Sequence, residues 1–396
     1  MKTRRERKQH PPLRDDAERG GSGGDAGGWL KRLDWRLVAL MLGIKALVLL
    51  VGAQTFTAYQ NRRLASLSGW LEIWNRWDAP HYLDIARDGY VSEGVQSRWI
   101  VFYPLYPWLV RLCAFVLSDE LVAAFFVSTV ASVVAGLLLW RLAGRDETDE
   151  TARATVFFLF VFPTSYFLHI GYTESLFLAL ALGSFLAARG RRWWLAGSLG
   201  ALASLSRVNG LMLVPALAVE AFLQYREEGR RWRWEWLWVL LAGAGFGVYL
   251  LLNASVFGDP FAFLKTQDAY WYKSLTWPWV GLVGAWKAIW ERAPSEAQMV
   301  GWQELFFVLL GLACTVWCWF RLRASYAVWM TANWLLWTST KFVLSVPRYT
   351  LIMFPIYILF ARKAVERPEW GGVIAVWSLL LLALFAGRFA QGMWAF

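Results

Sequence analysis

Apolar residues in this chain occur in runs long enough to cross a membrane as helices, separated by short segments rich in Lys and Arg. An α-helix needs about 20 consecutive apolar residues to span the hydrocarbon core of a bilayer. The pattern therefore predicts an all-α polytopic membrane protein with about eleven transmembrane helices. We place these spans at about 35–56, 119–142, 153–169, 174–189, 193–206, 209–225, 235–256, 302–320, 325–342, 348–361 and 371–394.

One apolar segment, WIVFYPLYPWLVRLCAFVLS at residues 99–118, decides the topology. Its length would allow a crossing, but it contains Pro104, Pro107 and Arg111. If this segment lies along the interface and the N-terminus is cytoplasmic, the cytoplasmic loops hold fifteen Lys and Arg residues, against seven in the later outer loops. Positive charge collects in cytoplasmic loops, so this count favours the interfacial position.

The topology defines the predicted domains. Residues 1–28 are basic and glycine-rich and are expected to form a disordered cytoplasmic tail, followed by one transmembrane domain at 29–396. Residues 57–118 form a large first outer loop with amphipathic helices on the membrane, and 257–301 form a second large outer loop. The stretch WLEIWNRW supports interfacial helices, because its Trp residues recur at helical spacing on one face.

Composition excludes several functional classes. Only 17% of the 396 residues are charged, mean hydropathy is +0.38 and the net charge is +11, whereas soluble domains carry about 25% charged residues. The basic residues lie between apolar runs, so we expect no nucleic-acid partner. The sequence contains no P-loop, HExxH, GxSxG or GxGxxG pattern, which argues against nucleotide-driven and protease chemistry.

The stretch RWDAPHYLDIARDGY at residues 76–90 concentrates ionisable groups after the first span. It reads as a short helix with Asp78 at the N-cap and Gly89 after its end. Asp78 could simply accept the backbone amide of His81, or it could serve as a base that takes a proton from a sugar hydroxyl. The spacing of Asp84 and Asp88 places them on the solvated face of this helix.

A second stretch, FPTSYFLHIGYTES, places His169, Tyr172 and Glu174 at membrane depth on the outer side. Ionisable groups at that depth are costly and usually functional. His169 could equally cap the preceding span, and Glu174 could be an acid that favours the start of a helix.

Cations occur on the same side. Arg207 lies in LSRVNGL, which could be only a tight turn, while Lys341 and Arg348 flank the turn in STKFVLSVPRYTLIMFP. Arg348 could hold a phosphate through its guanidinium fork, or snorkel to the interface. Carboxylates near cations at membrane depth suit a lipid-phosphate-linked sugar, because a base activates the acceptor and cations stabilise the leaving phosphate. A transporter or lipid flippase without covalent chemistry is the alternative, although we find no internal repeat.

The segments RWDAPHYLDIARDGY, FYPLYPWLVRL, FPTSYFLHIGYTESLF, GDPFAFLKTQ and VPRYTLIMFP, in this order, resemble the PIG-V type, GPI mannosyltransferase 2-like family. The resemblance covers about residues 70–360. It implies the GT-C glycosyltransferase fold, a polyprenyl-phosphate mannose donor and inverting transfer on the outer face. The tail and the arginine-rich loops suit a bacterial member of the family.

By motif position, the resemblance implies that Asp78 is the catalytic base, Glu174 the second acid and Arg348 a basic residue near the lipid phosphate. It also implies substrate-binding roles for His81, Tyr103, Gln267 and Lys341, beside the candidates His169, Tyr172 and Arg207.

We therefore expect a multi-pass enzyme of the plasma membrane with a cytoplasmic N-terminus and an extracytoplasmic active site. It would transfer mannose or another hexose to a lipid, glycan or protein acceptor, and membrane lipids would surround it. A same-fold enzyme that uses another lipid-linked sugar, such as glucose or arabinose, is a further alternative. We expect no metal or other cofactor, because Arg and Lys can stabilise a phosphate leaving group.

Overall fold

A computed structural model of the chain describes residues 34–396. The predicted disordered tail at residues 1–28 lies outside this range. Between residues 34 and 396 the secondary structure is helical apart from an isolated antiparallel bridge between Leu275 and Thr340. The predicted all-α class is confirmed.

The part of the chain before the second large outer loop forms helices α1 to α10. These are α1 (Trp35–Gln60), α2 (Leu67–Glu72), α3 (Ala79–Asp88), α4 (Leu105–Leu117), α5 (Glu120–Ala143), α6 (Asp149–Val161), α7 (Glu174–Arg189), α8 (Trp193–Ser206), α9 (Leu213–Glu227) and α10 (Ala244–Phe257). Tighter 3-10 segments occupy Val95–Val101, Ser165–Leu168, Val208–Met212 and Trp234–Gly243.

The remaining helices follow from the second outer loop onward. These are α11 (Ala262–Trp271), α12 (Pro278–Glu291), α13 (Glu304–Arg321), α14 (Ala324–Thr338), α15 (Val346–Thr350), α16 (Pro355–Glu366) and α17 (Pro368–Ala390). A single turn at Pro294–Glu296 and a π-helical segment at Ala297–Gln303 lead into α13.

Several of these helices make the chain a membrane protein. Within residues 34–396, six helical stretches are long and apolar enough to cross a bilayer: Trp35–Gln60, Glu120–Ala143, Val208–Glu227, Trp234–Phe257, Pro294–Arg321 and Pro368–Ala390. Helices α7, α8 and α14 lie at predicted spans but have only 16, 14 and 15 residues. The total of about eleven spans therefore stays a prediction.

The segment that decides the topology is broken. The 3-10 helix Val95–Val101 and α4 meet at an angle of 114°, and Pro104 lies at the N-cap of α4. A proline disfavours helical geometry in the residue before it, so the chain turns at this point. Residues 99–118 do not form one straight span.

Two other predicted spans are also interrupted by proline. The span predicted at 153–169 ends at Val161, just before Pro163, and continues as the 3-10 helix Ser165–Leu168. The span predicted at 348–361 divides into α15 and α16, and α16 starts at Pro355. Both breaks follow from the lost amide donor and fixed φ angle of proline.

The helix predicted across WLEIWNRW is wrong. Helix α2 ends at Glu72, before Trp74, and Trp77 adopts a left-handed φ of 57°. Trp74 is buried and Trp77 is exposed, so the two rings do not share a face. A left-handed, non-glycine residue is unfavourable and usually functional or held in place by its surroundings, and here it directly precedes Asp78.

Helix α7 lies at the centre of the bundle, packed against α5 and α8. Its first residue, Glu174, belongs to one cluster of charged side chains. Its last residue, Arg189, belongs to a second cluster and forms a salt bridge of 2.7 Å to Asp146. A 16-residue helix is about 24 Å long. The residues that the topology assigns to outer and cytoplasmic sides thus lie at opposite ends of one buried helix.

Candidate active site

The candidate site is built around the guanidinium group of Arg348. Its Nη1 donates a hydrogen bond of 2.6 Å to Oδ2 of Asp78, and its Nε donates to Oε1 of Glu174. The three side chains come from α15 and from the starts of α3 and α7. The structure therefore brings the two predicted acids and the predicted phosphate-binding cation into one contact network.

Short helix α15 presents Arg348 to this network. Pro347 sits at the start of the helix, where its missing amide is not needed. The hydroxyl of Thr164 donates to the carbonyl oxygen of Pro347 at 2.8 Å and ties α15 to the turn before α7.

Two aromatic rings flank the guanidinium group. The carbon Cζ of Arg348 lies 4.9 Å from the ring centroid of Phe167 and 4.7 Å from that of Tyr172. Cations are attracted to aromatic faces, and desolvation strengthens the interaction. Arg348 is almost completely buried, so it does not snorkel to the interface.

Glu174 is the first residue of α7 and has no exposed surface. Its Oε1 accepts hydrogen bonds from Arg348 and from Nη1 of Arg207, which also donates to the hydroxyl of Thr173 at 2.6 Å. Its Oε2 is buried and has no hydrogen-bond partner among residues 34–396. Glu174 therefore holds two arginines in place through Oε1, while Oε2 stays available to accept another hydrogen bond.

The cap interpretation of Asp78 is wrong for its side chain. Asp78 occupies the N-cap position of α3, but its carboxylate makes no cap hydrogen bond. The amide of His81 donates instead to the backbone carbonyl of Asp78 at 3.1 Å. The carboxylate is turned toward Arg348 and keeps 27% of its side-chain surface exposed. It is the more accessible of the two acids.

Tyr172 fixes the turn that presents Asp78. Its hydroxyl donates to the carbonyl oxygen of Arg76 at 2.8 Å and accepts from the amide of Asp78 at 3.2 Å. These bonds bracket the left-handed residue Trp77. Tyr172 thus stabilises the strained turn and also contacts Arg348.

Lys273 was missed by sequence reasoning. Its Nζ donates to the hydroxyl of Tyr349 at 2.7 Å and to the carbonyl oxygen of Leu344 at 3.3 Å. The ring of Tyr349 lies 4.9 Å from Lys273 Nζ and 5.9 Å from Arg207 Cζ. The only sequence signal was its location in the second outer loop, which it shares with Lys265 and Lys287.

The structure does not bring Lys341 into the network. Its side chain is exposed, and in the part of the chain that the structure describes it makes no ion pair or side-chain hydrogen bond to the acids. Its backbone amide donates to Ser274 at 2.9 Å, beside the bridge between Leu275 and Thr340. The backbone of Lys341 thus helps join residues 339–345 to the second outer loop. The lysine whose charged side chain lies near the network is Lys273.

His81 and Tyr103 lie in aromatic surroundings. The ring of His81 stacks on Trp99 at 3.7 Å, and its buried Nδ1 has no hydrogen-bond partner within the described part of the chain. Burial lowers the pKa of His81, and the nearby carboxylates of Asp78 and Asp84 partly oppose that effect. Tyr103 stacks on Tyr249 at 4.1 Å.

His169 and Gln267 show no direct link to the acids. His169 is fully buried, and its backbone carbonyl accepts a 2.9 Å hydrogen bond from Nζ of Lys45. Gln267, near the end of α11, is half-buried, and its carbonyl accepts from the amide of Lys273 at 3.3 Å.

Of the two solvated aspartates predicted on α3, Asp88 is exposed and Asp84 is half-buried.

Together with the neighbouring Lys273, the network contains more positive than negative charge. Asp78 and Glu174 form ion pairs with Arg348 and Arg207. Lys273 adds a third cation, which is hydrogen-bonded to the hydroxyl of Tyr349. Among residues 34–396, no three His, Cys, Asp or Glu side chains are arranged to hold a metal ion. The arrangement offers an accessible carboxylate beside cations that can attract a phosphate.

Part of the chain is similar in sequence to known mannosyltransferases. Residues 103–252 match the family described as dolichyl-phosphate-mannose-protein mannosyltransferase. The chain is 32% identical over 144 residues to GPI mannosyltransferase 2 of Schizosaccharomyces pombe, covering 35% of this chain and 30% of that protein. It is 31% identical over 151 residues to GPI alpha-1,6-mannosyltransferase 2 of Rattus norvegicus, with the same coverage. The matches thus span about a third of the length of these relatives.

Among solved structures, the chain is similar to ArnT from Cupriavidus metallidurans bound to undecaprenyl phosphate. The TM-score is 0.49 at 15% identity, over 92% of this chain and 72% of that one. An oligosaccharyltransferase from Archaeoglobus fulgidus gives a TM-score of 0.45 at 11% identity, over 89% and 53%. The sequence relatives confirm the resemblance to GPI mannosyltransferase 2-like enzymes that the motifs predicted.

Proposed function

We propose that this protein is a GT-C type membrane glycosyltransferase that transfers mannose from a polyprenyl-phosphate carrier to a lipid, glycan or protein acceptor. The observation that carries the proposal is the bridge from Arg348 to both Asp78 and Glu174. It joins an accessible carboxylate to a buried cationic cluster. The mannose donor class is supported by the description of the matching family and by the names of the relatives.

Asp78 acts as the general base in this proposal. Its carboxylate takes the proton from an acceptor hydroxyl, whose oxygen attacks the anomeric carbon of the donor. The bond from that carbon to the phosphate oxygen breaks, and polyprenyl phosphate leaves with the electron pair. Attack opposite the leaving group inverts the anomeric configuration, as expected when one carboxylate acts as base and none as nucleophile.

The cations stabilise the leaving phosphate. Arg348 already uses Nε and Nη1 on carboxylates, and its Nη2 has no hydrogen-bond partner among the described residues. Arg207 and Lys273 add positive charge near the ring of Tyr349. Positive groups fixed before the reaction stabilise developing negative charge without reorganisation. The main role of Arg348 is therefore to hold the two carboxylates in place, and its remaining nitrogen can also bind the phosphate.

The topology of the proposal places the N-terminus in the cytoplasm and the site on the extracytoplasmic face of the plasma membrane. The excess of Lys and Arg in one set of loops supports this orientation. The site residues and the Arg189 cluster lie at opposite ends of α7, as that orientation requires.

The test supplies membranes containing the protein with radiolabelled polyprenyl-phosphate mannose. Wild type should release polyprenyl phosphate and label an acceptor, while Asp78→Asn should lose activity by about 100-fold or more, the range expected for a general base. Asp88→Asn, on the exposed end of the same helix, is the matched control and should stay active.

Near-normal transfer by folded Asp78→Asn would contradict the role of Asp78. Movement of the labelled lipid across the membrane without release of polyprenyl phosphate would instead identify a flippase. Labelling with polyprenyl-phosphate glucose or arabinose, but not with mannose, would change the assigned sugar.

A further inference from the structure

A buried acid outside the network, Glu304, contacts the segment that carries Arg348. Glu304 is the first residue of α13 and has no exposed surface. Its Oε1 accepts the amide of Ser345 at 2.6 Å, and its Oε2 accepts the amide of Val346 at 2.7 Å. Both carboxylate oxygens are therefore used on two successive backbone amides just before Arg348.

These two amides have no local partner for their hydrogen bonds. The first N–H groups of a helix cannot bond within it, and Ser345 provides no side-chain cap to α15. Hydrogen bonds to a carboxylate are about twice as strong as neutral ones. Glu304, 41 residues away in sequence, thus supplies the partner that the segment itself lacks.

The contact also holds an unfavourable backbone conformation. Ser345 has a φ of 70°, in the left-handed region, where a residue with a Cβ atom is destabilised. Such a conformation persists only where the surroundings enforce it. The carboxylate of Glu304, bound to both sides of this turn, provides that restraint.

The restraint acts directly on the active site. Arg348 follows Ser345 by three residues in α15, and its guanidinium must reach both Asp78 and Glu174. Tyr349, the next residue, contacts Lys273. A change in the turn at Ser345 would therefore shift Arg348 and Tyr349 together.

We infer that Glu304 is a positioning residue, which holds the turn at Ser345 so that Arg348 stays between Asp78 and Glu174. The predicted effect of Glu304 on sugar transfer rests on the proposed function, whereas its predicted effect on the backbone at Ser345 is independent of that function.

The experiment compares Glu304→Gln with Glu296→Gln, an exposed acid in the turn before α13. Glutamine keeps the size of glutamate but presents an NH₂ group to one backbone amide, so one hydrogen bond is lost. Hydrogen exchange read by mass spectrometry should show the amides of Ser345 and Val346 exchanging about tenfold faster or more in Glu304→Gln, but not in the control. The kcat for sugar transfer should fall by a similar factor.

A rescue variant separates positioning from general damage. In Ser345→Gly/Glu304→Gln, glycine adopts the left-handed turn without strain, so part of the lost kcat should return. Glu304→Asp, which keeps the charge but shortens the side chain, should change exchange in the same direction, and it serves as the test if the glutamine variant does not fold.

Exchange at residues 345–346 equal to that of the control would overturn the inference, as would faster exchange with wild-type kcat. Failure of the double variant to recover any kcat would also contradict it. If wild type transfers no lipid-linked sugar, the proposed function fails, but the exchange comparison still decides whether Glu304 holds the turn.

Discussion

Arg348 Nη1 lies 2.6 Å from Asp78 Oδ2, although 270 residues separate the two along the chain. The same guanidinium group binds Glu174 through a different nitrogen. One side chain therefore fixes the first outer loop, the start of α7 and α15 relative to one another. This relationship makes Arg348 the organiser of the candidate site.

We expect Arg348→Lys to reduce transfer by about 100-fold. Lysine keeps the charge, but its single compact nitrogen cannot span two carboxylates as the planar guanidinium does. The measurement is the initial rate of polyprenyl phosphate release in membranes with equal amounts of protein. Arg191→Lys, an exposed arginine at the other end of the bundle paired with Glu228, should behave as wild type. Equal rates for the two variants would show that charge alone is sufficient.

Glu174→Gln is expected to destabilise the fold as well as reduce transfer. It leaves Arg348 and Arg207, which are only 7% and 11% exposed in their side chains, without the anion between them. Removing one partner of a buried ion pair costs about 3–5 kcal/mol. The thermal unfolding midpoint in detergent should fall clearly, whereas Glu235→Gln, at an exposed acid, should leave it unchanged. An unchanged midpoint in Glu174→Gln would contradict this prediction and would mean that water hydrates the charges of the two arginines when Glu174 is neutralised.

The helices were largely predictable because their signal is local. Runs of apolar residues placed α5, α7 and α8 to within a few residues. The span predicted at 235–256 is a 3-10 segment at Trp234–Gly243 followed by α10. The breaks at Pro163 and Pro355 were missed because flanking apolar residues continue the run on both sides. In such segments hydropathy reports burial in a membrane or a core, but it does not report where the backbone turns.

The site was predictable in its members but not in its contacts. Motifs and membrane depth selected Asp78, Glu174 and Arg348 as candidates, and their roles stay predictions. That Arg348 binds the acids, rather than pointing to the interface, depends on contacts across 270 and 174 residues. The choice of Lys273 over Lys341 likewise depends on how the second outer loop packs against residues 339–345.

We predict that Lys273 contributes to donor binding and that Lys341 does not. Lys273→Met should raise the KM for the lipid-linked sugar about tenfold, because it removes a cation beside Tyr349 that can donate a hydrogen bond to the charged phosphate. Lys341→Met, the matched loss of an exposed lysine nearby, should leave KM within about twofold of wild type. The reverse order of effects would restore Lys341 as the phosphate-binding residue.

Transfer should continue after metal ions are removed. Arg207, Arg348 and Lys273 can neutralise a lipid phosphate as it leaves, so the proposed mechanism requires no divalent ion. The rate of mannose transfer should be the same before and after treatment with EDTA. Loss of activity that Mg²⁺ or Mn²⁺ restores would contradict this prediction and would require a metal site that includes the donor phosphate.

His81 should make the stability of the protein depend on pH. Burial against Trp99 lowers the pKa of His81 below its usual value of 6.5, so the unfolded state binds a proton more readily than the folded state. The stability from the neutral ring is therefore complete above the usual pKa and is lost as the pH falls from there through the lowered pKa. The unfolding midpoint of wild type should fall more steeply between about pH 7 and pH 5 than that of His81→Gln, which cannot titrate. Parallel midpoints would show that His81 does not titrate differently in the two states.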